Sequence, residues 1–584
     1  MIRTTPARIR ISIAAAALIP FGMASCAFAA PSVASAPALS VLVKPAVPDA
    51  RNRVPSIDVT ITIDGPPVPS GQPLARMPLV TSNVETVANT LDQLSAHDAT
   101  GPLALSSTDD APSQTAAQYR HWHADRATTG PVILHYRVPI SETLAPRGAA
   151  PPLELRSDTG AFSGQGETFL MLPEAELPWR LSIAWDLSAM GSNAQGVTSF
   201  GLGNLSPAAV TGVKELGSSF FMAGNVHVYP QTPPATGFFA AWYGNPPFDL
   251  QPLMASEQML YSFYESFFKR PSTAPYGVFM RENLVNAGGG VSLGNNAFVT
   301  TFGPKTDLDE VKITLAHEML HTFAGALDGG MNNSWYAEGL AVYYARLLAL
   351  RAGQITPNQF LADLNSTAGR YYTDALIHTP NSEIAPNFWA DTRIRVLPYD
   401  RGSMYFAVLD GQLRVASNSK TTLDDLLLEM LDRKHRGLSS DEAAWREILK
   451  AHLGGKGIAE LDAMLNGTVM IPEPQGFGPC FTRITKPMRR YQLGFEPRVL
   501  VEHQRIVRGL IPGSTPEQAG IRNGDEITKP VPQDLIQGKQ DGLLTLQLLR
   551  DGKPMTITYL PRAETVDAYQ WIRTGTTPDT ACAY

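Results

Sequence analysis

The sequence predicts a multidomain α+β protein, with a β-domain at each end and a mostly helical domain between them. Three observations predict it. A chain of 584 residues is too long for one ordinary domain. Short runs with alternation or β-branched enrichment fill the chain from about Ser56 to Val228, and apolar residues then recur at helical spacing from about Gln251. From about Phe477 the text returns to short strands. Glycine (48) and proline (47) supply the turns that such strands need. A hydrophobic fraction of 44% with 17% charged residues suits globular domains with real cores. With a net charge of −7, nothing in the sequence looks like a basic nucleic-acid face.

The first element is an export signal. Arg3, Arg8 and Arg10 precede an apolar run from Ile11 to Met23, and Ala27-Phe28-Ala29 supplies a small-x-small cleavage site. The run is too short to span a bilayer, and no other segment reads as transmembrane. Residues 1–29 are thus a signal peptide, and the mature chain is periplasmic or secreted. Met23-Ala24-Ser25-Cys26 loosely matches a lipobox, so acylation at Cys26 is the alternative. Residues 30–55, rich in Pro, Ala, Ser and Val, read as a flexible lead-in.

Residues 56–245 read as an antiparallel β-domain of sandwich type. "IDVTITIDG" (Ile57–Gly65), "PVILHYRVPI" (Pro131–Ile140) and "WRLSIAWDLS" (Trp179–Ser188) are its clearest strands. Residues 246–475 form the helical domain. The helix at Gln251–Arg270 leads into strands up to Phe302, broken by Gly288-Gly289-Gly290. Helices are then predicted at 307–324, 335–351, 399–417, 421–433 and 440–452.

The helix at 307–324 carries the chemistry. Thr306 or Asp307 caps it, Leu308, Val311, Leu315 and Met319 form its apolar stripe, and Gly325 stops it. It contains H-E-x-x-H. His317 and His321 are four residues apart, so they are displaced by only about 40° around the axis and can hold one ion. Glu318 projects beside them, where it can take a proton from water. With 11 histidines in the chain, this arrangement by chance is improbable. Zinc needs a third protein ligand. Glu338 supplies it, 17 residues after His321 in the first turn of the next helix, in a stretch where an unpaired carboxylate is costly. One Zn2+ per chain is expected. Hydrolysis also needs an oxyanion donor. Tyr399 is the candidate, at the head of another apolar helix, with Tyr405 and Tyr343 as alternatives.

Residues 476–584 form the last domain. Tyr491–Glu496, "YQLGFE", offers backbone N–H groups at Leu493, Gly494 and Phe495 that can hold a peptide's terminal carboxylate. A hairpin is predicted around Asp551-Gly552. Cys480 and Cys582 bracket the domain, and two cysteines in an exported chain suggest a disulfide. The pair His121 and His123 reads as a polar strand surface, and Asp432–Arg436 as a solvated helix end.

Together these residues resemble the glycyl aminopeptidase family of zinc metallopeptidases, and more distantly the thermolysin-like gluzincin aminopeptidases. The motifs are the H-E-x-x-H helix, W-x-x-E-G at Trp335–Gly339, Y-x-R-G at Tyr399–Gly402 and the terminal PDZ-like module. The resemblance implies a thermolysin-like catalytic domain and a C-terminal PDZ domain. It implies zinc on His317, His321 and Glu338, Glu318 as general base and Tyr399 as oxyanion donor. It also implies removal of N-terminal Gly or Ala from peptides. The chain departs from the family at Gly289-Gly290-Val291-Ser292-Leu293. A substrate-binding strand there usually carries an acid for the free amine, and Ser292 stands in its place; Glu282 is the nearby substitute. The segment between His321 and Glu338 is also shorter than the family's and lacks the Trp-Asn pair usually found after the second histidine. The alternatives are a zinc endopeptidase on the same scaffold and a catalytically silent PDZ-type peptide-binding protein.

Overall fold

The structure is a computed structural model. It describes residues 36–582 apart from 113–116, 142–149, 207–209, 285–286, 295, 530, 532 and 576. The expected signal peptide at 1–29 and Cys26 lie outside the described residues.

The strand Ser56–Asp64 alternates strictly and buries Ile57, Val59, Ile61 and Ile63. It pairs antiparallel with Ala38–Pro45 on one side and Val132–Pro139 on the other, within a seven-stranded sheet. Ala38–Pro45 corrects the expected lead-in at 30–55. Its Leu39, Val41 and Val43 point into the core, and this alternation outweighs the Pro/Ala/Ser bias around it. Its other neighbour, Trp179–Trp185, runs parallel, so the domain is not purely antiparallel. A four-stranded sheet containing Trp122 closes the same core and completes a sandwich.

The central sheet has five strands in the order His227–Tyr229, Gly237–Trp242, Pro275–Glu282, Ala297–Phe302, Gly290–Leu293. The first two lie before the expected boundary at 246 and belong with the central domain. Every residue of Ala297–Phe302 is buried, as in a strand covered on both faces. One face packs Phe239, Phe279 and Val299 against Phe220 and Met222 of another N-terminal sheet. The other face packs Tyr276, Val278 and Met280 against helices. Arg281 bridges the first of these interfaces. It is fully buried and bound to Glu154 Oε2 at 2.9 Å and Ser163 Oγ at 3.1 Å.

The helices that matter here are α1 (Leu250–Phe267), α2 (Leu308–Ala324), α3 (Ser334–Arg351), α4 (Pro357–Tyr372) and α5 (Leu397–Ser417). Leu423–His435, Glu442–Leu453 and Gly455–Leu465 follow. The α4 helix was not among those expected. Its start is nevertheless written in the sequence: Thr356 and Gln359 form a capping box, with Pro357 at the first position. No helix among the described residues is long and apolar enough to cross a membrane.

The C-terminal region divides in two. Phe481–Tyr491 and Arg562–Arg573 form a long antiparallel ribbon whose Met488, Ala568 and Trp571 join the main helical core. A disulfide joins Cys480 to Cys582 at its base. Between the ribbon strands sits a unit with its own core and three short strands, Glu526–Ile527, Leu544–Arg550 and Lys553–Tyr559. Its hairpin turns at Asp551 and Gly552, both at positive φ, which suits a two-residue turn of the primed type.

Candidate metal centre

The site starts from α2. Asp307 Oδ1 accepts the N–H groups of Asp309 at 2.9 Å and Glu310 at 3.1 Å, which fixes the first turn. Val311, Leu315, Met319 and Phe323 bury one stripe against the central sheet and α1. Gly325 ends the helix at φ +66°. His317 and His321 then share the opposite edge, with ring centroids 4.8 Å apart.

Helix α3 brings Glu338 to them. It crosses α5 at two glycines: a Cβ on Gly339 would lie 2.6 Å from Gly402 Cα, and one on Gly402 would lie 2.5 Å from the Trp335 carbonyl oxygen. Only glycine permits this approach. The glycines of W-x-x-E-G and Y-x-R-G are therefore the crossing point of the helices that carry Glu338 and Tyr399.

Three ligand atoms converge. His317 Nε2 and His321 Nε2 are 3.2 Å apart, and Glu338 Oε2 is 3.3 Å and 3.2 Å from them. Tetrahedral zinc with ligands about 2.0–2.1 Å away separates its ligand atoms by about 3.3 Å. The triangle fits that ion, and the two-histidine, one-carboxylate donor set suits it. Among the described residues this is the one group of three able to hold a metal. The group is half-buried, and its charges lean on one another. Burial opposes the His321 cation, but Glu338 outweighs it and pushes the ring up to about 9. Burial also opposes the Glu338 anion, yet the two histidines hold its carboxyl well below the usual carboxylate range.

Glu318 lies beside this triangle. Burial pushes its carboxyl up, the two histidines counter that, and the Ser292 backbone N–H donates to it. The edge strand Gly290–Leu293 lies directly on it: a Cβ at Gly290 would sit 2.9 Å from Glu318 Oε1. Gly289 is fixed in turn, its carbonyl accepting from the Thr301 N–H at 3.0 Å and the Thr300 hydroxyl at 3.1 Å. The edge strand therefore presents backbone, free of side chains at Gly289 and Gly290, along the site.

The Tyr399 ring stacks on His317 at 5.9 Å and 14°. Tyr343 is buried against Tyr344 and Phe477, and Tyr405 accepts from Trp445 Nε1 in the core. Of the three tyrosines, the fold brings Tyr399 to the ligands. Glu282 is elsewhere. It ends a strand two places in from the edge, and burial and neighbouring Asp158 raise its carboxyl, with Arg156 opposing them. The charged neighbours of Glu318 are His317, His321 and Glu338. Leu493 and Phe495 are buried, Gly494 has φ +88°, and the carbonyls of Leu493 and Gly494 accept from Tyr559 Oη and the Ile511 N–H. This loop lies past the end of the strand Phe481–Tyr491 and before a 3₁₀ turn that begins at Pro497. His121 lies between Glu174 at 2.9 Å and Asp110 at 3.1 Å on a polar sheet surface.

Residues 312–383 match the family model described as M61 glycyl aminopeptidase. A search of curated proteins gave no match. Among solved structures, an aminopeptidase N family protein from Idiomarina loihiensis is similar at 15% identity, covering 93% of this chain and 99% of that one, with a TM-score of 0.62. That likeness shows a shared fold. An M1 zinc metallopeptidase from Deinococcus radiodurans, a mutant bound to a Tyr-Ser-Ala substrate, matches at 14% identity over 75% of this chain and 95% of its own, with a TM-score of 0.45.

Proposed function

We propose that this chain, a zinc metallopeptidase whose metal-site segment matches the M61 glycyl aminopeptidases, is an exported aminopeptidase that removes small N-terminal residues, Gly or Ala, from peptides. The observation that carries the catalytic part is the triangle of His317, His321 and Glu338 with Glu318 and Tyr399 at its sides. One zinc ion would be held by the three ligands and supply Lewis acidity to a carbonyl and to water. Glu318 takes the proton from the attacking water and later gives it to the leaving amine. Its buried carboxyl, raised by that burial, suits a group that must hold a proton between two steps. Tyr399 Oη donates to the oxyanion of the tetrahedral intermediate. The backbone of Gly289 and Gly290 aligns the peptide by strand addition. The Leu493–Phe495 loop is the candidate place for a peptide's C-terminal carboxylate.

A second reading, an endopeptidase on the same frame, is favoured by one observation. Ser292 stands where an acid for the free amine is expected, and Glu282 sits beside Asp158 and Arg156 instead. One experiment separates the readings. A peptide with a free Gly or Ala N-terminus and its acetylated twin are incubated with purified protein, with and without a chelator. Trimming of the free peptide alone supports the aminopeptidase; internal cuts in both support the endopeptidase. Glu318→Gln should lower turnover by at least about a hundredfold with metal still bound. Full activity in that variant would reject the mechanism.

A further inference from the structure

We propose that the Arg370–Asp400 ion pair positions Tyr399 for its part in the reaction. The inference rests on the reading of Tyr399 as oxyanion donor. Asp400 follows Tyr399 in the first turn of α5 and is fully buried. Arg370, in the last turn of α4, binds it through two bonds, Nε to Oδ2 at 2.8 Å and Nη2 to Oδ1 at 2.6 Å. A forked contact of this kind fixes the orientation of a carboxylate as well as its place. Val396 gives α5 no side-chain cap, and the neighbouring anchor in the same turn, Arg401 Nη1 donating to the Thr379 carbonyl at 2.6 Å, is a contact to a backbone oxygen rather than a forked ion pair. A buried ion pair is a weak source of net stability compared with apolar packing of similar volume. Its value here is the rotational phase of the turn that sets Tyr399 against His317.

The α4 helix is a rigid point from which to do this. Asp363 and Thr367 bind Arg346 of α3, both at 2.8 Å, eight residues beyond Glu338. Asn365 exchanges two hydrogen bonds with the Trp571 backbone, at 2.8 Å and 2.7 Å, tying α4 to the C-terminal ribbon. One helix thus holds the carrier of Glu338 and the carrier of Tyr399 in a common frame.

The test is a cycle on the metal-loaded full chain. Arg370→Lys keeps the charge but loses the fork. The double variant Arg370→Gln with Asp400→Asn removes both charges, so neither is left buried alone. Each is made with and without Tyr399→Phe, and kcat, KM, zinc affinity and melting are measured. Expected is a fall in kcat of about 10- to 100-fold with KM changed less than about twofold, since a small misplacement suffices for such losses. Zinc affinity stays unchanged, and the fall disappears when Tyr399→Phe is already present. Unchanged kcat in folded variants would overturn the inference. So would an equal fall in the Tyr399→Phe background, or loss of the melting transition in both variants, which would make the pair structural. If Tyr399→Phe alone keeps full activity, the oxyanion reading itself fails, which is a distinguishable result.

Discussion

Glu257 lies beneath the metal helix, on α1, with its Oε2 unpartnered among the described residues and its side chain almost wholly buried. Burial pushes its carboxyl up to about 8, only partly countered by Lys312. The folded pKa is therefore above the unfolded one. Below about pH 4.5 the group is protonated in both states and has no effect. As pH rises from there to about 8, the unfolded chain ionises and the folded one does not, so stability is lost across that window. The loss is on the order of 3–5 kcal/mol above pH 8. Glu257→Gln should raise the melting temperature of the metal-loaded protein, with a gain that grows between pH 6 and 8. An identical pH profile for both proteins would show that the carboxyl ionises in the fold after all.

At the scale of elements, the crossing of α3 and α5 decides the geometry of the site. Gly402→Ala puts a methyl against the Trp335 carbonyl, a backbone atom that cannot swing away. Separating the helices costs about 1–3 kcal/mol and draws Glu338 from the histidines. The expected result is a lower melting temperature together with weaker zinc binding; weaker folding with unchanged zinc affinity would uncouple the crossing from the site. This contact also explains what the sequence reveals and what it hides. His317, Glu318 and His321 were legible because their spacing on one helix places them together, and Glu338 because a carboxylate in an apolar helix turn needs a partner. Tyr399 was one of three tyrosines until the fold stacked it on His317. The glycines of both motifs were visible as letters, but their mutual contact depends on a crossing of distant helices. Helix α4 was missed although the sequence holds both its capping box and the i, i+4 stripe of Phe360, Leu364 and Ala368; the polar residues between them dilute the run of apolar letters.

At the scale of the molecule, Cys480–Cys582 staples the two ends of the C-terminal region together at the base of the ribbon and closes a separation of 102 residues. Paired substitution of both cysteines by serine should cost about 3–5 kcal/mol, the range for loops of this length. The check is denaturant unfolding of the variant beside the wild type with and without reductant. Equal stability in all cases would mean that packing of Met488, Ala568 and Trp571 holds the ribbon alone. The lead-in and the N-terminal boundary were misread for one physical reason. Strand pairing is settled by distant partners, so Ala38–Pro45, His227–Tyr229 and Gly237–Trp242 declare their sheets only in three dimensions.

The central sheet has a further meaning for how such a protein can change over time. Its strands are lined by helices on one face and by an N-terminal sheet on the other, with Arg281 reaching across to Glu154. Among the described residues, Phe239, Phe279 and Val299 share one buried cluster with Phe220, Met222 and Val197 of that sheet. The N-terminal half is thus a co-owner of the hydrolytic half rather than a detachable accessory. Grafting or shuffling of that half between relatives would have to carry a matching apolar face with it, so its freedom to diverge is set by a surface that never meets the substrate.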